Sequence, residues 1–404
     1  MKLQIEKGVL LLGLQRVQGI IDRRSTVPIL SNILLEGKVS TSESRHATLE
    51  IVATDLEIGM RGSYPAQIHG EGAIAVSGRK IYDIVRELPD GIVDISAEDG
   101  KLLTIRAGKS LFKIAGFNKE DFPTLPEVME NEMIEVESQI FGDMINKTIF
   151  AVADADARHV LNGALLEIEK KEGKKAAIRM VGTDGHRLAV CERQLAAGKL
   201  GTGKQLGTEL NSDPETGAVP EKGANTQTII PKKTLHEMRR FLNVNEKIKL
   251  GIGEKELSLK GEDIFITSRL IDGIYPNYKQ VIPKGGDQII RINRLMFMNV
   301  IKRISVMSRE KTKAVLVEFT QNRAILRAKD PEIGEAVEDI EIRYEGIGLT
   351  VSLNYQYVLD ALDSMNNEDV IIVTQTSLTP CIIKQEKDPD HICIVMPMRV
   401  QDGE

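Results

Sequence analysis

The sequence has no tryptophan among its 404 residues, and aromatic side chains make up only 4% of it. Platforms that grip single-stranded nucleic acid by stacking need more aromatic surface than this, so any contact with DNA or RNA must rest on charge. Cysteine is as scarce. Cys191, Cys381 and Cys393 are the three, and none sits two to four residues from another, which speaks against a disulfide framework or a thiolate zinc site. No apolar run approaches the roughly 18 residues that cross a bilayer. The opening Met1-Lys2-Leu3-Gln4-Ile5-Glu6 lacks the basic-then-apolar layout of a signal peptide. A cytoplasmic protein with no membrane partner is expected.

An excess of positive charge is missing too. Lys and Arg total 53 against 59 Asp and Glu, a net charge of -6, which argues against a general nucleic-acid binder unless the cations are segregated. The composition, 42% hydrophobic and 28% charged, is that of a folded globular chain of roughly two to four domains.

Catalytic signatures are absent as well. The histidines His46, His69, His159, His186, His236 and His391 include no pair three or four apart, and no Gly-x-Ser-x-Gly elbow occurs. Gly198-Lys199-Leu200-Gly201-Thr202-Gly203-Lys204-Gln205 follows the phosphate-binding loop except that Gln205 replaces the magnesium-binding Ser or Thr. No buried strand precedes it, so a solvated loop is expected rather than a nucleotide site. Asp154 and Asp156 form an Asp-x-Asp pair without further oxygen ligands nearby, which points to a turn or helix end. No catalytic residue, metal or cofactor is expected. The rival readings are a nucleotide-dependent enzyme using Gly198 to Lys204 and a scaffold that binds peptides but not DNA.

What is present is a threefold plan. A strand-like segment ending in a charged turn occurs at Ile51 to Asp55, Met180 to Asp184 and Leu326 to Asp330. Each precedes a helical stripe: Ile81, Ile84, Val85, Leu88; Leu235, Met238, Leu242; and Val358, Ala361, Leu362, Met365. Asp55 to Ile81 spans 26 residues and Asp330 to Val358 spans 28, but Asp184 to Leu235 spans 51. The excess coincides with the polar stretch Leu195 to Gln227, which reads as an inserted loop. Helix to closing proline is again regular: 42 residues to Pro123, 41 to Pro276, 39 to Pro397.

A second stripe opens each copy, at Leu10, Leu14, Val17, Ile21; Phe141, Met144, Ile145, Ile149; and Phe297, Val300, Ile301, Ile304. Alternating runs such as Leu102 to Ala115, Glu256 to Leu270 and Pro380 to Met398 read as antiparallel strands. The expected fold class is α+β: three repeated domains, 1–127, 128–285 with the insert 195–227, and 286–404, each a helix pair on antiparallel sheet.

The helices carry cations beside their apolar stripes: Arg16, Arg23 and Arg24; Arg79, Lys80 and Arg86; Lys147; Lys232, Lys233, His236, Arg239 and Arg240; Arg294, Lys302 and Arg303. Only the sixth is acidic, with Asp360 and Asp363. Aligned on one surface, these cations would form a strip for duplex phosphates without base readout.

Pro28-Ile29-Leu30-Ser31-Asn32, Leu161-Asn162-Gly163, Thr183-Asp184-Gly185-His186-Arg187-Leu188, Asp272-Gly273-Ile274-Tyr275-Pro276-Asn277-Tyr278 and Val395-Met396-Pro397-Met398-Arg399 stand in this order along the chain. With them the sequence resembles, along essentially its whole length, the bacterial sliding clamps, the β subunits of DNA polymerase III. The resemblance implies a non-catalytic processivity factor: a head-to-tail homodimer whose ring of clamp-type domains encircles double-stranded DNA. It implies a partner groove between the second and third domains for linear motifs of the polymerase III α subunit, the clamp loader δ subunit and other partners. Carried over, the groove residues are Leu161, Thr183, Gly185, His186, Arg187, Leu188, Pro276, Val281, Leu378, Ile394, Met396, Pro397, Met398 and Arg399. The DNA-facing set is Arg24, Arg79, Lys80, Arg86, Lys232, Lys233 and Arg240. The dimer contact would bring Arg106, Lys109 and Phe112 against Val306 and Met307, with Glu332, Glu335, Glu338 and Asp339 opposite the basic strand. His159 and Val160 stand where related clamps often present aromatics beside DNA, a departure from the pattern.

Overall fold

The computed structural model describes residues 1–21, 27–39, 47–98, 101–125, 133–169, 176–195, 225–242, 247–283 and 285–399. Arg23, Arg24, the loop Gly198 to Gln205 with most of the polar insert, and the tail Gln401 to Glu404 lie outside them. Six strands run straight into helices: Lys2–Glu6 into α1 (Lys7–Arg16), Gly72–Ser77 into α2 (Gly78–Glu87), Ile134–Glu137 into α3 (Ser138–Thr148), Asn225–Pro231 into α4 (Lys232–Leu242), Gln288–Asn293 into α5 (Arg294–Ser305) and Leu349–Asn354 into α6 (Tyr355–Asp363). Three of these junctions are capped by the last strand residue. The oxygens of Ser77, Asn293 and Asn354 accept from the backbone N–H of Lys80, Met296 and Gln356, satisfying donors a first helical turn leaves open.

The apolar stripes face inward as their spacing requires. Leu10 and Leu14, Ile81 and Val85, Phe141 and Met144, Leu235 and Met238, Phe297 and Val300, and Val358 and Leu362 are all buried. The charged turns repeat as well. Asp55 Oδ1 accepts from the N–H groups of Glu57 and Ile58, Asp184 Oδ1 from His186 and Arg187, and Asp330 Oδ1 from Glu332. An Asp at a strand end thus folds the chain back three times by the same local bond.

The described chain divides into two compact units, one of residues 1–138 and 236–270, the other of 139–195, 225–235 and 271–399, with the division inside α4. All named strand pairings are antiparallel. In the first unit a thirteen-stranded sheet continues from one repeat into the next, where Ile264–Arg269 pairs with Ile58–Pro65 and Ile266 lies opposite Met60. In the second unit an eight-stranded sheet does the same: Arg187–Gln194 pairs with Asp388–Val395. Gly334–Glu341, Arg323–Asp330, Ala314–Thr320 and Leu349–Asn354 form a separate four-stranded sheet. Repeat copies with a sheet each would expose unpaired edge groups, and joining the edges satisfies them.

Several cations counted as helix-face charges point inward instead. Arg16, buried on α1, donates to Asp263 at 2.8 Å, and Arg294 donates to the carbonyls of Asn367 and Leu362. Lys147 bonds Asp143 at 2.8 Å and Asp388 at 2.7 Å, and Arg193 bonds the same two carboxylates at 3.0 and 2.7 Å. This four-charge cluster ties α3 to the strand Asp388–Val395. Beside it His391 is fully buried, its Nε2 3.3 Å from the Lys147 carbonyl oxygen and its Nδ1 without a partner among the described residues. Burial pushes the thiols of Cys191 and Cys393 up to about 12 and that of Cys381 up to about 11.

Burial, reinforced by the Lys147 charge, pushes the His391 imidazole down from 6.5 to about 4. Below pH 6.5 the unfolded chain takes up a proton that the folded chain refuses until about pH 4, so this residue's contribution to stability is present above that window and falls away through it. The melting temperature of the native protein should therefore drop on acidification from pH 7 to pH 5, and His391→Gln should make that drop shallower; parallel pH profiles for the two proteins would refute the assignment.

Candidate functional site

Where the strand Arg187–Gln194 meets the end of Asp388–Val395, an open groove of about 110 Å³ lies on the second unit. Its walls are Leu161, Leu188, Pro276, Tyr278, Val281, Ile394 and Met396, with Arg158, Thr183, Gly185, Arg187 and Asn277 at the edges. The floor is the end of a core layer shared by two repeats: Leu188 lies opposite Ile394, and both pack with Leu165, Val181, Ile382 and Tyr278. Val281 and Met396 remain 42% and 37% exposed, so apolar surface is left open to an occupant.

Three local devices shape it. The first is the turn Thr183 to Arg187, in which Thr183 Oγ1 donates to the Arg187 carbonyl at 2.6 Å and accepts from the Gly185 N–H at 3.1 Å. Gly185 sits at φ +89°, a conformation that favours glycine, and an added Cβ would come within 2.8 Å of Arg158 Nη2. The second is Arg187. Its guanidinium donates to Asp184 at 2.9 Å and to Asp360 on α6, 4.4 Å from the Tyr357 ring centre and 5.6 Å from that of Phe150. Arg187 therefore lines the groove while its charge is held internally.

The third device anchors the loop wall Pro276 to Val281. The Tyr278 hydroxyl donates to Glu167 at 2.6 Å, and Arg179 bonds Glu167 at 2.8 Å and Glu192 beside it. Burial alone would raise the Glu167 carboxyl, but the bonds from Tyr278 and Arg179 outweigh it and hold it below the usual range.

Of the fourteen groove residues named from the sequence, nine line the cavity and His186, Leu378, Pro397, Met398 and Arg399 do not. His186 and Arg399 are exposed and Leu378 is 66% exposed on a turn. Met398 is held by its N–H to the Ser352 carbonyl. Arg158, Asn277 and Tyr278 were missed. Asn277 and Tyr278 lay within a motif already noted, while nothing in the spacing of Arg158 marked it.

Among the other site residues, Arg79 and Arg86 lie 3.7 and 3.8 Å from Asp83, and Arg86 also pairs with Glu87. Lys80 and Lys233 are exposed, and Arg240 pairs with Glu237. Lys232, expected in the DNA-facing set, is largely enclosed, donating to the Val152 carbonyl and to Asp154, both at 2.7 Å. Arg106 and Phe112 are exposed on their strands and Lys109 in the turn between them, Val306 is 78% exposed past α5, and Met307 lies against Gly334. The acidic run is partly neutralised at home, Glu338 by Arg303, Asp339 by Arg323 and Glu335 by Arg327. The exposed Leu111, Ile333 and Val337 beside these residues were not anticipated. Among the described residues no group of three or more His, Cys, Asp or Glu side chains is placed to hold a metal, and no helix is long and apolar enough to cross a membrane.

Three successive domain descriptions match along the chain: the N-terminal domain of the DNA polymerase III beta subunit over residues 1–126, the central domain over 135–202 and 215–277, and the C-terminal domain over 279–399. The chain belongs to the DNA polymerase III β subunit family. The gap in the central match falls inside the polar insert. The beta sliding clamp of Pseudomonas putida is 32% identical over 99% of this chain and 100% of its own length, and that of Escherichia coli is 30% identical with the same coverage. The β subunit from Pseudomonas aeruginosa superposes with a TM-score of 0.85 at 29% identity, covering 99% of this chain and 100% of that one. The sliding clamp of Bartonella birtlesii, solved bound to griselimycin, gives 0.87 at 26% with the same coverage. The protein is thus a sliding clamp of DNA polymerase III, in a family that works in DNA replication without catalysis of its own.

Within this clamp, Arg187→Lys should lower stability by about 2 kcal/mol, since an ammonium cannot span two carboxylates and stack on Tyr357. Denaturant unfolding checks this, and a change below about 0.5 kcal/mol would reduce the pair of carboxylates to a surface contact.

Proposed function

We propose that this clamp closes head to tail with a second copy around duplex DNA, and that its groove receives short linear motifs of the polymerase III α subunit and the clamp loader δ subunit. The observation that carries the reading is the open apolar groove of nine expected residues in a chain that matches the family in all three of its domains. An open apolar cleft can take the side chains of a short bound segment, and Met396 suits a surface that accepts several sequences. Exposed apolar side chains on two different segments support ring closure: Leu111 and Phe112 on the strand Ser110–Phe117, and Val306, Ile333 and Val337 in the third repeat; two different surfaces meeting make a heterologous contact.

The exposed helix cations Arg79, Lys80, Arg86, Lys233 and Arg240 would meet phosphates without reading bases, so no position along the duplex is favoured. Retention on nicked circular DNA tests the whole reading. Loaded with its cognate loader and ATP, the protein should stay with the circle through gel filtration and be lost once the DNA is cut; equal retention on both forms would mean plain electrostatic binding. Separately, Met396→Asp should weaken a peptide carrying the clamp-binding linear motif of the polymerase α subunit about tenfold or more by placing a charge on the apolar wall. Fluorescence polarisation measures this, and unchanged affinity would exclude the groove.

A further inference from the structure

At the mouth of the groove, Arg158 is the residue whose charge is most open to an occupant, its side chain 58% exposed. It is already held by a carboxylate of its own turn. Asp156 takes Arg158 Nε at 2.9 Å and Nη2 at 3.0 Å, a two-pronged match, and also the Arg158 backbone N–H at 2.8 Å. The turn places that carboxylate from the other side too: Asn162 Oδ1 accepts from the Asp156 N–H at 2.7 Å and Asn162 Nδ2 donates to its carbonyl at 3.2 Å. The guanidinium then lies over Gly185, where no Cβ blocks it, and reaches the Asp184 carbonyl at 3.4 Å. Arg187, the other guanidinium of the groove, is held by Asp184 and Asp360.

We propose that Asp156 is a specificity-determining residue of this groove: its carboxylate occupies Arg158 in the way an acidic side chain of a bound segment would, so an acidic segment must displace it and gains little by its charge. The inference rests on the groove being a peptide site. Both groove cations are internally matched, so binding is left to the apolar wall and an acidic segment is given no preference over a neutral one. The Arg158 bonds hold the Asp156 carboxyl at about 2, so the block persists over the whole physiological pH range.

The test uses full-length protein and a short peptide carrying the clamp-binding linear motif of the polymerase α subunit, made with Gln or Glu in turn at each non-apolar position. In wild type, Glu and Gln versions should bind within about twofold of each other. In Asp156→Asn at least one Glu peptide should gain about three- to fivefold over its Gln twin, the size of an exposed ion pair, and the gain should fade in high salt. It should vanish in the Asp156→Asn, Arg158→Gln double variant. Asp156→Ser keeps a small acceptor for the Arg158 N–H, so it should show the same gain if the turn is intact. Equal shifts for Glu and Gln peptides, or no shift at any position, would leave Asp156 as a turn residue only and overturn the proposal. Failure of wild type to bind any of the peptides would remove the groove reading itself, and this role with it.

Discussion

The pairing of Arg187–Gln194 with Asp388–Val395 is the constraint on which the site depends. It brings two repeats into one sheet and sets Leu188 opposite Ile394. A register slip by one residue would turn one of the two to the other face of the sheet. At the end of the same ladder Arg187 takes one carboxylate from each repeat, Asp184 and Asp360, so the charge and the sheet agree on a single register. The cluster of Lys147, Arg193, Asp143 and Asp388 ties α3 to the same strand pair. Breaking either set leaves a partly enclosed charge without its partner.

A second pattern concerns where the positive charge goes. Arg16, Lys147 and Arg294 stand on helices yet serve the interior, and Arg79, Arg86, Arg240 and Arg303 share carboxylates on their own or neighbouring elements. A net charge of -6 combined with cations already partnered gives a surface that attracts phosphate only weakly. For a tether proposed to travel along DNA this is an advantage, because tight phosphate binding would slow it. Holding on then falls to ring closure rather than to affinity.

Much of the fold was legible in the residues. All six helical stripes followed apolar spacing, and the three Asp turns followed from a carboxylate at a strand end, both being local features. Sheet continuity between repeats was not legible, since strand partners hundreds of residues apart leave no local pattern. The groove was legible only through its motifs: Met396 and Val281 look like core in isolation. The cations misled because a sequence shows that Lys232 is charged but not that Asp154 and the Val152 carbonyl surround its ammonium.

The three thiols, each fully shielded and held far from ionisation, have a practical consequence. Alkylating dyes react with thiolate at an accessible sulfur. A single cysteine placed on the surface would therefore take a fluorophore or spin probe selectively, with Cys191, Cys381 and Cys393 left in place. Distances across a closed assembly can then be followed in a protein whose own interior has not been altered.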